Sequence, residues 1–314
     1  MFRHILAAAA AILLVAAGAQ GEGCKLKRLA GLDLTRLASG RFSTTVQVNG
    51  QPFHLMVDTG SDHTMLTERV ATALGLKLEP FPNSVMYLWG GMQLKYLAKT
   101  ESVQVGRLLL GASTFYVIPD DRMEPGSDGL IGTDILARFD ADFDFAQGKL
   151  NLIEHHSCGG HPVYWADDQA VASIPFENQK WDRQITGIAI NKIMLTVNLD
   201  SKPELADLDT GAHISTLDLD RAEADFDLKP DSAGMVRLKR PEGSFGYTFK
   251  TLSFGGVQVN NAKVRLDPYS VSKMGPHNAK MLIGTDVLSR LHLYIAYQER
   301  VLYVTEATAH KAAP

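Results

Sequence analysis

Met56-Val57-Asp58-Thr59-Gly60-Ser61 ends an apolar run in the first half of the chain, and Asp207-Leu208-Asp209-Thr210-Gly211-Ala212 ends one in the second half. Each half then carries a second signal, Leu130-Ile131-Gly132-Thr133-Asp134 and Leu282-Ile283-Gly284-Thr285-Asp286. Leu130 lies 72 residues after Asp58, and Leu282 lies 73 residues after Asp209. A lone Asp-Thr-Gly arises by chance, but two copies at matched spacing from a second repeated pentapeptide indicate an internal duplication.

The duplication extends over most of both halves. Val46 aligns with Val197 at an offset of 151, and Leu150 aligns with Leu302 at an offset of 152. Alternating residues at 44–48, the turn signal Asn49-Gly50 and the run to Val57 predict a β-hairpin that delivers Asp58. The corresponding pattern around a turn at 200–202 predicts a hairpin that delivers Asp209.

Asp-Thr-Gly followed by Ser or Ala, with two apolar residues and Gly farther on in each half, resembles the aspartic protease superfamily in its retropepsin and pepsin branches. The resemblance covers roughly 44–305. It implies an all-β fold with short helices, in which two homologous acid-protease-like β-barrel lobes face each other across an active-site cleft. The site residues that it implies are the catalytic pair Asp58 and Asp209, the supporting loop residues Thr59, Gly60, Ser61, Thr210, Gly211 and Ala212, and the substrate-binding flap residues Tyr87, Trp89 and Gly90. The alternative for the flap residues is that they are ordinary strand residues packed on the lobe.

Two carboxylates in near contact suit the hydrolysis of peptide bonds. They cannot both ionise cheaply, so they share one proton. The ionised member then takes a proton from water, while the protonated member polarises the carbonyl and later protonates the leaving nitrogen. This chemistry requires neither a metal nor a cofactor. Because Ser61 carries a hydroxyl that can donate to Asp58 and Ala212 has no counterpart, the sequence predicts Asp58 as the more acidic partner.

The most direct function is therefore an exported aspartic endopeptidase that acts on a peptide or protein substrate. The alternative is a catalytically silent bilobed protein that binds peptides or inhibits another enzyme, because the fold alone does not decide activity. Both aspartates, both threonines and both glycines are present, which favours the enzyme. A glycosidase with two carboxylates fits less well, since a pair that shares a proton leaves no room for inverting attack by water on a sugar.

One position departs from the family pattern. Asp207 stands two residues before Asp209, where family members usually carry an apolar residue and where the first half has Met56. Residues i and i+2 of a strand share a face. Either a local twist turns Asp207 outward, or a third carboxylate perturbs the pair.

The composition is that of a folded protein, with 45% hydrophobic and 21% charged residues. A formal net charge of −4 without long runs of like charge argues against nucleic acid or an anionic membrane as the main partner. Residues 1–19 read as a signal peptide, with Ala17-Gly18-Ala19 as cleavage site and Gln20 as the mature N-terminus. An uncleaved anchor is the alternative, although the apolar stretch is short for a membrane span. The expected location is periplasmic or secreted.

Two cysteines, Cys24 and Cys158, flank the first lobe. In an oxidising compartment this arrangement suggests a disulfide, with two thiols that never meet as the alternative. Gly21 stands where a bacterial lipoprotein signal usually has Leu, so the sequence does not favour lipidation of Cys24.

The expected domain organisation follows the repeats. After the signal peptide come an N-terminal arm at 20–40, a first lobe at 41–153, a connector at 154–183, a second lobe at 184–307 and a tail at 308–314. Whether the arm is a removable pro-segment stays open. The histidines at 155–161 match no zinc spacing with two clear pairs. Since both lobes lie in one chain, a monomer is expected.

Overall fold

A computed structural model of the protein describes residues 26–80, 86–87, 93–155, 163–166, 171–178, 191–239, 241–268 and 279–307. The predicted signal peptide, Cys24, Cys158, Trp89 and Gly90 lie outside these ranges, as does most of 155–161. None of the described helices is long and apolar enough to cross a membrane.

The first half consists of short and medium strands with two short helices. Its elements are β1 (Arg28–Asp33), β2 (Thr35–Arg36), β3 (Phe42–Val48), β4 (Gln51–Val57), β5 (Met65–Thr67), α1 (Glu68–Ala73), β6 (Leu78–Pro80), β7 (Met86–Tyr87), β8 (Gln93–Leu94), β9 (Tyr96–Val105), β10 (Leu108–Ile118), β11 (Gly129–Ile131), α2 (Thr133–Leu136), β12 (Asp140–Asp144) and β13 (Lys149–Ile153), with a 3-10 turn at Asp120–Arg122.

The connector contributes two strands, and the second half repeats the first. The elements are β14 (Ala172–Pro175) and β15 (Glu177–Asn178), then β16 (Ile193–Leu199), β17 (Lys202–Leu208), β18 (Thr216–Asp218), α3 (Leu219–Phe226), β19 (Val236–Arg237), β20 (Phe245–Phe254), β21 (Val257–Asp267), β22 (Met281–Ile283), α4 (Thr285–Leu288), β23 (Leu291–Ala296) and β24 (Val301–Glu306).

Each half closes into a six-stranded β-barrel. The first barrel runs β3-β4-β11-β5-β10-β9 and closes through pairing of β3 with β9. The second runs β16-β17-β22-β18-β21-β20 and closes through β16 with β20. In β3, Val46 and Val48 are buried while Thr45 and Gln47 face solvent, as the alternating pattern requires. The predicted fold of two barrel lobes is confirmed.

The hairpins that deliver the two Asp-Thr-Gly loops turn in the left-handed region. Asn49 and Gly50 have φ values of 49° and 77°, and Asp200 and Ser201 have values of 45° and 69°. Consecutive positive φ values match the right-handed twist of the flanking strands. Both predicted turns are confirmed, and the second adopts this geometry without glycine.

A third sheet joins the lobes. Its order is β1-β13-β12-β23-β24-β14, and β12 pairs antiparallel with β23 from Ala141↔Ile295 to Asp144↔His292. The sheet therefore contains strands from both halves and from the connector. Within the predicted N-terminal arm, Arg28–Asp33 pairs with β13 and buries Leu32. This part of the arm is an integral strand of the folded protein.

A buried polar network crosses the junction between the lobes. Asp142 Oδ1 lies 2.7 Å from His292 Nε2, and Asp142 Oδ2 accepts from Asn151 Nδ2 at 2.8 Å and from the Tyr164 hydroxyl at 2.5 Å. The Trp165 ring stacks on His292 with centroids 3.7 Å apart. Buried carboxylates are tolerated when every partner is in place. The network fixes how one barrel sits against the other.

Candidate active site

The two aspartates emerge from equivalent strand ends. β4 pairs parallel with β11 in the first barrel, and the Asp58 amide donates to Ile131 O at 3.0 Å. β17 pairs parallel with β22 in the second barrel, and the Asp209 amide donates to Ile283 O at 3.0 Å. The second repeated signal therefore supplies the strand that anchors each Asp-Thr-Gly loop.

The threonines of the two loops hold the lobes together at the site. Thr59 Oγ1 donates to Leu208 O at 2.6 Å and accepts from the Thr210 amide at 3.0 Å. Thr210 Oγ1 donates to Val57 O at 2.7 Å and accepts from the Thr59 amide at 3.0 Å. Both side chains are buried, so these four hydrogen bonds fix the two loops face to face without competition from water.

The glycines let each carboxyl pack on the opposite loop. A Cβ atom on Gly60 would lie 2.4 Å from Asp209 Cγ, and one on Gly211 would lie 2.4 Å from Asp58 Cγ. No real Cβ tolerates such a distance, so only glycine allows this approach. The two carboxyls that the sequence places far apart are thus brought together at one point between the lobes.

The two carboxyls have different surroundings. Asp209 Oδ1 accepts from the Gly211 amide at 2.8 Å and the Ala212 amide at 3.0 Å, whereas Asp58 Oδ1 accepts from the Gly60 amide at 3.0 Å. Burial raises the pKa of Asp58 well above its usual value, and the charge of Asp209 and a hydrogen bond with its carboxyl raise it further. Burial and the neighbouring carboxyl therefore both favour a proton held within this pair.

The prediction that Asp58 is the more acidic partner rested on a hydrogen bond from the Ser61 hydroxyl, which points elsewhere. Ser61 Oγ donates to His63 O at 2.8 Å, within its own loop, instead of to Asp58. Asp209 gains its additional donor from the backbone of Ala212, which residue type does not reveal. The difference between the two carboxyls therefore comes from the number of backbone amides that donate to each, and not from the hydroxyl of Ser61.

Behind each loop, an aspartate of the second repeated signal supports the backbone. Asp134 Oδ1 accepts from the Thr64 amide at 2.8 Å and from its hydroxyl at 2.7 Å, and Asp286 Oδ1 accepts from both groups of Ser215 at 2.9 Å. Although Asp134 lies in the first turn of α2, the helix starts from Gly132 without a side-chain cap, so Asp134 supports the loop and does not cap the helix. The nearly equal spacing of Asp134 from Asp58, 76 residues, and of Asp286 from Asp209, 77 residues, was the signal that could have identified this role.

Asp207 is not turned to solvent. It is 3% exposed, and its Oδ2 lies 3.5 Å from Lys192 Nζ. Lys192 was not identified from the sequence, although the offset of 151 aligns it with Arg41, which donates through Nη1 to Gly211 O at 3.3 Å. Each lobe thus places a cation next to the paired loops, and only in the second lobe does it meet a carboxylate on the aspartate-bearing strand.

Two short paired strands are present in the predicted flap region. Met86 pairs with Leu94 and Tyr87 pairs with Gln93, while residues 88–92 lie outside the described ranges. Leu94 is buried in an apolar cluster with Met56, Met65, Ile118 and Leu130. The contacts of Tyr87, Trp89 and Gly90 with substrate stay a prediction.

The threonine contacts predict a measurable effect of one hydroxyl. Thr59→Val leaves the Thr210 amide and Leu208 O buried without their partners, so we expect a loss of about 2 kcal/mol in the free energy of unfolding. Urea unfolding measures this loss. Thr59→Ser keeps the hydroxyl and is the matched control. Equal stability of the two variants would show that the hydroxyl contributes nothing.

Comparison with known proteins agrees with this geometry. Residues 44–135 match a family model described as aspartyl protease. This segment runs from β3 to α2 and contains Asp58 and the second signal of the first half. No curated protein matches the chain.

Proposed function

From the aspartyl protease family domain at residues 44–135, we propose that the protein is an aspartic endopeptidase in which Asp58 and Asp209 activate water between them. The observation that supports this most is the reciprocal packing of each carboxyl on the glycine of the other loop. A family match in the first lobe accounts for Asp58 alone, whereas the catalytic mechanism needs a second carboxyl at contact distance.

The surroundings of the two carboxyls indicate their roles. Asp209, with two amide donors, is the ionised member and takes a proton from the attacking water. Asp58, whose pKa is raised by burial, is the protonated member and donates a hydrogen bond to the substrate carbonyl. The water oxygen then bonds to the carbonyl carbon, the carbon–nitrogen bond breaks, and a proton passes to the leaving nitrogen. Asp58 and Asp209 thereby exchange protonation states during the reaction.

The substrate lies across the cleft between the barrels in this proposal. The hairpin formed by β7 and β8 covers the first-lobe side, and the β19–β20 hairpin, with Arg237 opposite Phe245, is its counterpart in the second lobe. Because both catalytic carboxyls come from one chain, the enzyme acts as a monomer.

The decisive test exposes the purified mature protein to a complex peptide mixture from pH about 3 to about 8, with and without pepstatin. We expect new peptide termini that mass spectrometry detects and that pepstatin suppresses. An Asp209→Asn variant prepared in the same way identifies cleavage by contaminating proteases. Absence of cleavage at every pH, together with specific peptide binding, would favour the catalytically silent bilobed protein instead.

The enzyme acts outside the cytoplasm in this proposal. The support for export is the sequence of residues 1–19, which resembles a signal peptide with a cleavage site at Ala17-Gly18-Ala19. We expect the intact mass of the exported protein to correspond to a chain that starts at Gln20. A mass that retains residues 1–19, or one that includes a lipid on Cys24, would contradict a free periplasmic or secreted enzyme.

A further inference from the structure

A buried charge pair connects the strand that delivers Asp209 to the residue just before the neighbouring strand. Asp207 occupies β17 two residues earlier and is 3% exposed. Lys192 immediately precedes β16, and its side chain, 16% exposed, places Nζ 3.5 Å from Asp207 Oδ2. Because β16 and β17 are adjacent antiparallel strands, the pair bridges two strands of the second barrel close to the catalytic loop.

The equivalent positions of the first lobe have different chemistry. Met56 stands at the position of Asp207 and packs in the apolar cluster that includes Leu94. Arg41 stands at the position of Lys192, and its Nε pairs with Glu124 Oε1 at 2.8 Å. The cation of the first lobe is therefore neutralised outside the aspartate-bearing strand. Among the residues that the structure describes, only the second lobe has an ion pair on that strand, so the charge around the two carboxyls is not symmetric.

Several titratable groups face this pair from the surrounding elements. Lys192 interacts electrostatically with four carboxyls, those of Asp207, Asp62, Asp209 and Asp58. Burial and the charge of Asp207 raise the pKa of the hydroxyl of Tyr297, which directly follows β23. Burial also raises the pKa of Asp62, and the charges of Lys192 and the adjacent His63 oppose this rise. Among the described residues, Asp207 Oδ1 and Asp62 Oδ1 are buried without a hydrogen-bond partner. Lys192 is thus the charge that compensates this group of acids.

We propose that Lys192 and Asp207 are a positioning pair that sets the pH window in which Asp58 and Asp209 share one proton. The proposal rests on the aspartic protease function proposed above. A cation close to the two catalytic carboxyls favours their anionic states, so Lys192 promotes the loss of the first proton. An ionised Asp207 repels a further negative charge, so it opposes the loss of the second proton. The two effects act on different steps of the titration.

The direction of each effect depends on pH. Burial raises the pKa of Asp207 to about 7, although Lys192 opposes this rise. Below that pH Asp207 is mostly protonated, and the charge of Lys192 acts on the catalytic carboxyls without compensation. Above it, Asp207 is ionised and holds the shared proton in place. The active single-proton state consequently persists from acidic pH toward neutral pH.

The test follows the two macroscopic titration steps of the catalytic carboxyls by NMR of protein labelled with carbon-13 at the Asp carboxyls. Signals are assigned with Asp58→Asn and Asp209→Asn. The step at lower pH, the acidic step, is the loss of the first proton, and the upper step is the loss of the second. We expect Lys192→Met to raise the midpoint of the acidic step by about one pH unit or more. Asp207→Asn leaves the acidic step in place and lowers the upper step, because the repulsion by its charge is gone. Lys192→Arg keeps the cation and restores the wild-type titration.

Arg221→Met is the matched control. Arg221 Nε pairs with Glu204 Oε2 at 3.0 Å, and Glu204 is buried on β17, the same strand as Asp207. This variant also leaves a buried carboxyl without its cation, but we expect it to leave both titration steps unchanged. If Lys192→Met moves the acidic step no more than Arg221→Met does, the proposal is wrong. If Lys192→Met does not fold, Asp207→Asn decides. A shift of the upper step alone supports the proposal, whereas a shift of the acidic step that is equally large overturns it.

Activity measured on the same samples separates this inference from the proposed function. With a working peptidase, the pH profile of kcat/KM moves in parallel with the NMR titration in Lys192→Met and returns in Lys192→Arg. If the wild-type protein cleaves no peptide while its carboxyls titrate as expected, the charge pair stands and the peptidase function fails. If cleavage is robust and neither the profile nor the titration moves, the peptidase stands and the role of the pair fails.

Discussion

Asp58→Asn and Asp209→Asn each reduce peptide cleavage by about a thousandfold or more, since each removes the acid or the base of a pair that works as one unit. An amide cannot take a proton from water, nor can it share a proton with the remaining carboxyl. The double variant is expected to be about as inactive as either single variant, because effects of residues that act together are not additive. The measurement is kcat/KM on a peptide identified in the cleavage screen.

The aspartate variants need a control for folding and for charge. Asp231→Asn changes an exposed carboxyl in the second lobe and is expected to leave kcat/KM unchanged. Circular dichroism and thermal unfolding establish that the catalytic variants fold, and binding of pepstatin reports whether the cleft persists. Near-normal cleavage by either folded single variant would exclude the shared-proton mechanism and leave a peptide-binding protein as the better explanation.

Gly60→Ala is expected to lower kcat/KM by about a hundredfold or more and the free energy of unfolding by about 1–3 kcal/mol. The new Cβ would lie 2.4 Å from Asp209 Cγ and 2.6 Å from both carboxyl oxygens. The carboxyl or the loop must shift, and the buried threonine contacts hold the loop in place. We therefore expect the Asp209 carboxyl to move, although the reaction needs it close to Asp58.

Gly31→Ala is the matched substitution for this second prediction. On β1, in the sheet that joins the lobes, the added Cβ would meet Asn151 Oδ1 at 3.4 Å, an ordinary contact distance. We expect nearly unchanged activity, together with a small stability change that urea unfolding measures. Activity of Gly60→Ala equal to that of Gly31→Ala would show that the carboxyl does not rest on the opposite glycine in solution.

Much of the fold was predictable from the sequence because it depends on local patterns. The alternating apolar residues of β3 and the Asn49-Gly50 turn act within a few residues of one another. Repetition then extended these local predictions to the second lobe. Nothing local, in contrast, predicted that Arg28–Asp33 pairs with Lys149–Ile153, since that pairing joins segments far apart in the chain.

The candidate site divides in the same way. The sequence alone determined that Asp58 and Asp209 stand at equivalent strand ends, since two identical tripeptides in two equivalent settings specify one geometry twice. Only the tertiary structure decided that burial and Asp209 raise the pKa of Asp58, that Ser61 donates to His63 O, and that Asp207 is buried against Lys192. Protonation and pairing depend on burial and on the charges that other strands bring near. These quantities arise from packing between segments distant in sequence, which spacing and residue type do not encode.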